Sequence, residues 1–304
     1  MFLFALYVND LPNAVNNVQV DMYADDTTLH TSCDNYEDLT NCLQSSIDKL
    51  IRWLDDNRLV LNVEKTKIMI IGSHKKASNS DERNDKVKVF VNSKEIDIVN
   101  SARVLGIEID SHLNFHNHVD KIASKVSSKI GFLRRLKPAI PRKQLSLMFH
   151  AIINPHFDYC SPVWSGASKT STDKLFKLQK RGLRMVCDAR WDAPTKELFH
   201  LVKWVELPQM FLQNDCKMVF KCVHNLNPNY ICKCFNEFNN SRYNTRQSTN
   251  KTLRLPHCQS SLYKKSFVFR GSLIWNTLDQ ELTCCKSFSL FKRKLKETPL
   301  SLPV

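Results

Sequence analysis

A chain of 304 residues, 42% of them hydrophobic, holds enough apolar material for two or three modest cores and is excluded from the disordered class. Its 6 glycines form no G-x-G-x-x-G or Walker A pattern, which excludes those phosphate-cradling loops. The formal net charge of +14 is unevenly spread: residues 1–130 carry 15 Lys+Arg against 19 Asp+Glu, residues 131–304 carry 29 against 11, so the front nets −4 and the back +18.

A back half this basic suits a polyanion, and nucleic acid fits better than an anionic membrane or a merely solubilising surface. The 11 cysteines are odd in number and show no regular framework, so reduced thiols inside a cell, nuclear or cytoplasmic, are expected. The run Met1 to Val8 is apolar, but it lacks a basic flank and is too short to span a bilayer. Neither a signal peptide nor a membrane partner is expected. The run starts abruptly, with nothing before it to cap a helix, and reads as a chain entered in mid-element.

Val18, Val20 and Met22, then Thr27, Leu29 and Thr31, alternate across Tyr23-Ala24-Asp25-Asp26 and predict a β-hairpin over 18–33. Leu39, Leu43, Ile47, Leu50 and Leu54 recur at helical spacing and predict an amphipathic helix over 35–57. A short strand is expected at 68–71 and a polar loop at 73–86. Val87, Val89 and Val91, the Asn92-Ser93 pair, and Ile96 and Ile98 predict a second hairpin. Residues 104–109 read as one further strand, in a small sheet with the first hairpin.

From residue 116 the pattern turns helical. Val119, Ile122, Val126, Ile130 and Leu133 mark a helix that ends near Pro138 and Pro141. Further helices are expected over 142–153, 173–187 (with Thr172 as N-cap), 194–203 and 209–224. Residues 239–261 look irregular, and the tail from 262 mixes aromatics with Lys and Arg. No repeats occur. The whole reads as α+β: a small antiparallel sheet region over 1–115, helices over 116–190, and a mainly helical basic region over 191–304.

Asp25 and Asp26 stand side by side in a predicted turn. Like charges repel, so such a pair gains when a divalent cation neutralises it, and oxygen donors suit Mg²⁺ or Mn²⁺. Two metals held together activate an attacking hydroxyl and stabilise a leaving phosphate, as nucleotidyl transfer requires. Composition alone favours the plainer reading, two ordinary turn residues.

The neighbouring sequence reverses that preference. Phe4-Ala5-Leu6-Tyr7-Val8-Asn9-Asp10-Leu11-Pro12, Tyr23-Ala24-Asp25-Asp26, Leu61-Asn62-x-x-Lys65-Thr66-Lys67 and Leu105-Gly106-Ile107 occur in that order. Together they resemble the palm motifs of non-LTR (LINE-type) reverse transcriptases. His118 to Leu136, Pro155-His156-Phe157-Asp158-Tyr159-Cys160 and Leu178-Gln179-Lys180-Arg181 resemble the thumb of the jockey-like branch. Tyr243-Asn244-Thr245-Arg246, Ser266 to Gly271, Leu273-Ile274-Trp275-Asn276 and Phe288 to Lys292 resemble its tail. Leu278-Asp279 departs from the branch's usual Leu-Pro.

The resemblance implies an RNA-directed DNA polymerase working on an RNA template, a DNA primer and dNTPs with Mg²⁺ or Mn²⁺. It makes Asp25 a metal ligand with Asp26 assisting. It sets Tyr23 against the primer end or the palm floor, or simply packed on its hairpin. Lys65 would neutralise or protonate the leaving pyrophosphate, and Gly106 would let the backbone approach the primer, unless it marks a strand bulge. Arg134, Arg135 and Lys137, with Lys177, Lys180, Arg181 and Arg184, would meet phosphates; a solvated helix face is the plainer reading.

The family's fingers and first catalytic Asp would precede residue 1, so the chain alone is expected to be inactive. A non-catalytic nucleic-acid-binding protein and a decayed gene product are the alternatives. Cys216, Cys222, Cys232, Cys234, His257 and Cys258 do not match tight zinc spacings, and no zinc site is expected. Phe267, Phe269 and Trp275 would either stack on unpaired bases or fill a small core.

Overall fold

The computed structural model describes residues 2–72, 86–235, 252–258 and 260–301. The chain divides into two compact units, Met1–Leu113 and Asn114–Val304. The loop expected at 73–86 and the Tyr243-Asn244-Thr245-Arg246 motif lie wholly or almost wholly outside the described residues. The fold mixes helices with small antiparallel sheets.

In the first unit, helices α1 (Phe2–Tyr7) and α2 (Leu11–Ala14) precede strands β1 (Gln19–Tyr23) and β2 (Asp26–His30), followed by helix α3 (Tyr36–Asp56). Helix α3 starts where the Asn35 carboxamide accepts from the Asp38 N–H at 2.8 Å, and Glu37 and Asp38 add negative charge to its first turn. Leu50 closes a cluster with Leu11 and Val15, joined by Val20, Met22 and Leu29 of the hairpin. Ile47 closes another with Val87, Val89, Val91 and Ile96. One helix thus carries both small cores, because its apolar stripe is wide enough to face two directions.

Strands β3 (Phe90–Val91) and β4 (Lys94–Glu95) form the second hairpin. Asn92 and Ser93 make its turn at φ 48° and 65°, the doubly positive pattern that matches strand twist. Gln44 of α3 serves its edge: the side-chain amide donates to Phe90 O at 3.0 Å and accepts from Phe90 N–H at 2.8 Å.

Three sequence expectations about the strands need correction. Residues 104–109 are not one strand. Strands β5 (Ser101–Val104) and β6 (Ile107–Asp110) pair antiparallel about Leu105 and Gly106, at φ 47° and 86°. The run Val-Leu-Gly-Ile hides this turn because its first residue is apolar. Each hairpin is its own two-stranded sheet, and among the described residues no ladder joins β1–β2 to β5–β6. The strand expected at 68–71 reduces to one parallel bridge, Ile68 to Ile98.

In the second unit α4 (His116–Leu136) buries Val119, Ile122, Val126, Ile130 and Leu133, as its spacing requires. A 3₁₀ turn at Lys137–Ala139 follows at Pro138. Helices α5 (Arg142–Ile152), α6 (Asn154–Asp158) and α7 (Ser161–Trp164) lead to α8 (Lys169–Cys187). Ser168, not Thr172, caps α8: its hydroxyl accepts from Ser171 N–H at 3.2 Å, whereas the Thr172 hydroxyl donates to Lys169 O at 2.9 Å. Gly182 of α8 lies directly against the Phe149 ring of α5.

Helices α9 (Thr195–Val202), α10 (Leu207–Val223) and α11 (Asn229–Cys232) follow, then the tail helices α12 (Ser261–Lys264), α13 (Phe267–Trp275), α14 (Gln280–Thr283) and α15 (Phe288–Glu297). Ser260, Ser266 and Ser287 each cap a tail helix by accepting from the N–H three residues on. Cys216, Val219 and Phe220 of α10 meet Ile274, Trp275, Phe291 and Leu295 in one core. Trp275 is therefore interior and not a base platform.

Candidate nucleotidyl-transfer hairpin and basic helices

The first hairpin is closed by two residues, Ala24 and Asp25, with Tyr23 paired to Asp26. Register decides which side chains share a face. Val20 opposite Leu29 and Met22 opposite Thr27 form one face, and its Val20, Met22 and Leu29 pack inward. Asp21 opposite Thr28 and Tyr23 opposite Asp26 point the other way, into solvent. Tyr23 is 63% exposed, so packing does not hold it.

Ala24 stands at φ 54°, a left-handed conformation that costs a residue with a Cβ about 1 kcal/mol or more. That twist leaves Asp25 at the tip and Asp26 at the start of β2, both exposed. Among the described residues neither carboxylate enters an ion pair, which leaves hard oxygen donors of the kind a divalent cation takes. Asp21, on the same face, lies 3.4 Å from His30. Sequence reading passed over Asp21; its alternation with Tyr23 was the available signal. Among the described residues no three His, Cys, Asp or Glu converge on one metal position. The hairpin supplies a carboxylate pair, not a complete cage.

Lys65 sits after α3, in a turn built by Asn62: the Asn62 carboxamide and carbonyl both accept from Lys65 N–H at 3.2 Å, and the carbonyl accepts the Thr66 hydroxyl at 2.9 Å. Asn62 and Thr66 therefore have a local structural reason to flank Lys65, whose side chain is exposed. Among the described residues no hydrogen bond or ion pair joins Lys65 to Asp25 or Asp26. Tyr7, from the first motif, donates its hydroxyl to Asn57 O at the end of α3. Gly106 occupies the β5–β6 turn, where φ 86° suits a residue without Cβ.

The basic residues divide. Arg134, Arg135, Lys177 and Arg181 are exposed. Lys180 lies over the Phe176 ring at 4.0 Å, Arg184 donates from Nε to Ala193 O at 2.9 Å, and Lys137 pairs with Asp188. Trp191, which sequence reading did not single out, is 85% exposed in the loop after α8. Burial pushes the thiols of Cys216 and Cys222 up.

Residues 1–109 match the family described as reverse transcriptase (RNA-dependent DNA polymerase). The chain is thus similar to reverse transcriptases of the jockey-like kind. It is 24% identical over 243 residues to the RNA-directed DNA polymerase from mobile element jockey of Drosophila melanogaster, covering 76% of this chain and 25% of that protein. The Drosophila funebris counterpart is 23% identical over 208 residues, covering 64% and 22%. The chain thus spans about a quarter of the length of these curated relatives. No solved structure matches it. The reverse transcriptase match takes in the Asp25–Asp26 hairpin, Lys65 and the Gly106 turn. No helix among the described residues is long and apolar enough to cross a membrane.

Proposed function

We propose that this chain supplies the metal-binding hairpin and the duplex-holding helices of an RNA-directed DNA polymerase, acting on an RNA template, a DNA primer and dNTPs. Residues 1–115 correspond to part of the palm, 116–190 to the thumb and 191–304 to a basic tail region. The observation that carries this reading is the two-residue turn of Tyr23-Ala24-Asp25-Asp26, which presents two unpaired carboxylates to solvent.

Asp25, at the tip, holds the divalent cation, Mg²⁺ or Mn²⁺, and Asp26 adds negative charge beside it. Bound there, the ion supplies Lewis-acid stabilisation of the attacking and departing oxygens. Asp26 and Tyr23 share one face of the hairpin, so Tyr23 lies beside the carboxylates with its ring free to contact the primer end. Lys65 offers its ammonium to the leaving pyrophosphate. The Gly106 turn brings backbone close to the primer strand without a side chain in the way.

The carboxylate pair needs further ligands for two-metal chemistry, so the 304-residue chain by itself extends no primer. The test is primer extension on an RNA template by the chain alone and by the chain joined to the upstream polymerase segment of a jockey-type relative. Extension by the joined protein, abolished by Asp25→Asn, is expected. An Asp25→Asn form that extends as well as its parent would overturn the assignment. The charge of +18 on residues 131–304 favours a second reading, a non-catalytic nucleic-acid-binding protein. Binding without extension in the joined protein would select it.

A further inference from the structure

We propose that Trp191 is a platform on which one unpaired base of a nucleic-acid strand stacks. The inference rests on the nucleic-acid reading above and adds to it a specific contact and a preference for single strands. The chain has 5 tryptophans. Trp164 and Trp275 are fully buried, Trp204 is nearly so, Trp53 is partly buried, and Trp191 alone stands in solvent at 85% exposure. So large an indole left in water is uncommon unless something covers it.

The loop that carries it is fixed, not loose. Asp188, at φ 56°, ends α8 and pairs with Lys137 beyond the end of α4. Ala189 N–H donates to Arg184 O at 2.9 Å, and Arg184 Nε donates to Ala193 O at 2.9 Å. Ala193 N–H donates to Arg190 O at 3.2 Å, so Trp191 occupies the first corner of a closed turn. Holding the loop backbone in place beforehand lowers the ordering cost of a ligand.

The same ties decide what covers it. They tie the turn to Lys137, just after α4, and to Arg184 of α8, with Arg190 adjacent in sequence. The anions nearby are Asp188 and Asp192, each already paired with a cation. Lys137, Arg184 and Arg190 against Asp188 and Asp192 leave the turn net positive, within a half of the chain that nets +18, and one exposed aromatic in such a field suits a polyanionic strand with a base covering the indole. A duplex does not fit as well, because its base faces are already stacked on one another.

The experiment uses the full chain with Trp191→Ala and Trp191→Phe variants. Each is titrated with a short oligouridylate and with a blunt RNA–DNA duplex, read by tryptophan emission and by anisotropy of a labelled strand. Oligouridylate should quench parent emission, and the quench should vanish in both variants. Alanine should weaken oligouridylate binding about tenfold while phenylalanine keeps it within about twofold, since any aromatic face stacks. The parent-to-alanine ratio should hold as salt rises although every affinity falls, because stacking releases no counterions. An alanine variant that binds oligouridylate like the parent, or that loses the duplex equally, overturns the platform and leaves general nucleic-acid binding standing. A parent that binds neither probe at low salt removes both.

Discussion

The Arg270 guanidinium lies 3.3 Å from the Asp215 carboxylate with almost no water around either, their side chains being 12% and 4% exposed. Arg270 also donates to Pro162 O at 2.9 Å, so one residue of α13 ties α10 to α7. The Ser266 to Gly271 segment thus packs against the chain just after Tyr159. Gly271 fits for the same reason, since a Cβ there would meet Val219 at 2.7 Å.

Burial pushes the Asp215 carboxyl up to about 7, against the opposing pull of Arg270. At this group the folded chain therefore binds more protons than the unfolded chain between about pH 4 and 7. The contribution of Asp215 to stability should fall as pH rises through that window and then level off, an effect that Asp215→Asn removes. The two partners should also respond unequally to removal. A carboxyl left without its arginine stays neutral by keeping a proton; a guanidinium left without its carboxylate cannot shed one. Asp215→Leu should cost about 3–5 kcal/mol and Arg270→Met distinctly less. Urea unfolding at two pH values measures both effects, and equal losses would refute the asymmetry.

Gly182 marks a close helix contact. A Cβ there would fall 2.2 Å from the Phe149 ring, which is fully buried and stacked on Trp204 at 4.3 Å, so it has nowhere to move. Gly182→Ala should destabilise the second unit by about 1–3 kcal/mol despite the better helix propensity of alanine. A variant that melts at or above the parent temperature would show that the two helices part at no cost.

The hairpin's Ala24 makes a prediction of opposite sign. Glycine reaches φ 54° without the penalty alanine pays, so Ala24→Gly should leave stability unchanged or raise it by up to about 1 kcal/mol. In the joined polymerase the same change should lower extension, because a looser turn no longer holds Asp25 in one position. A gain in activity with glycine would break the link between the twisted turn and the carboxylate.

Much of this was legible in the chain. Period-two alternation around Tyr23 to Asp26 and three-four spacing in α3 and α4 announce those elements because burial repeats with the local geometry. The β5–β6 turn was not legible, since Leu105 looks like strand. The pairings of Gln44 with Phe90 and Arg270 with Asp215 were not legible either; their partners lie 46 and 55 residues apart, and no local pattern links them. The four-residue basic face over 177–184 was legible only as a spacing. Spacing puts the residues together, but only the structure reveals that Arg184 is committed to Ala193 and Lys180 to Phe176.

That division sharpens the expectation for binding. Lys177 and Arg181 are exposed, one helical turn apart on α8, and are the cations of that face free to meet phosphates. Each phosphate neutralised releases about one counterion, so affinity for an RNA–DNA duplex should fall linearly with salt on logarithmic axes. Sequence should matter little, since such contacts follow the backbone. The Lys177→Glu/Arg181→Glu chain should bind more weakly at low salt, with a salt slope shallower by about 2. Lys137→Gln and Arg184→Gln should act differently: by releasing the loop after α8 they should lower thermal stability while changing the slope by less than about 1. Anisotropy titrations across a range of salt, with a melting curve for each variant, separate the two classes. A charge-reversed chain with the parent's slope would mean that this face of α8 carries solvated charge and meets no phosphate.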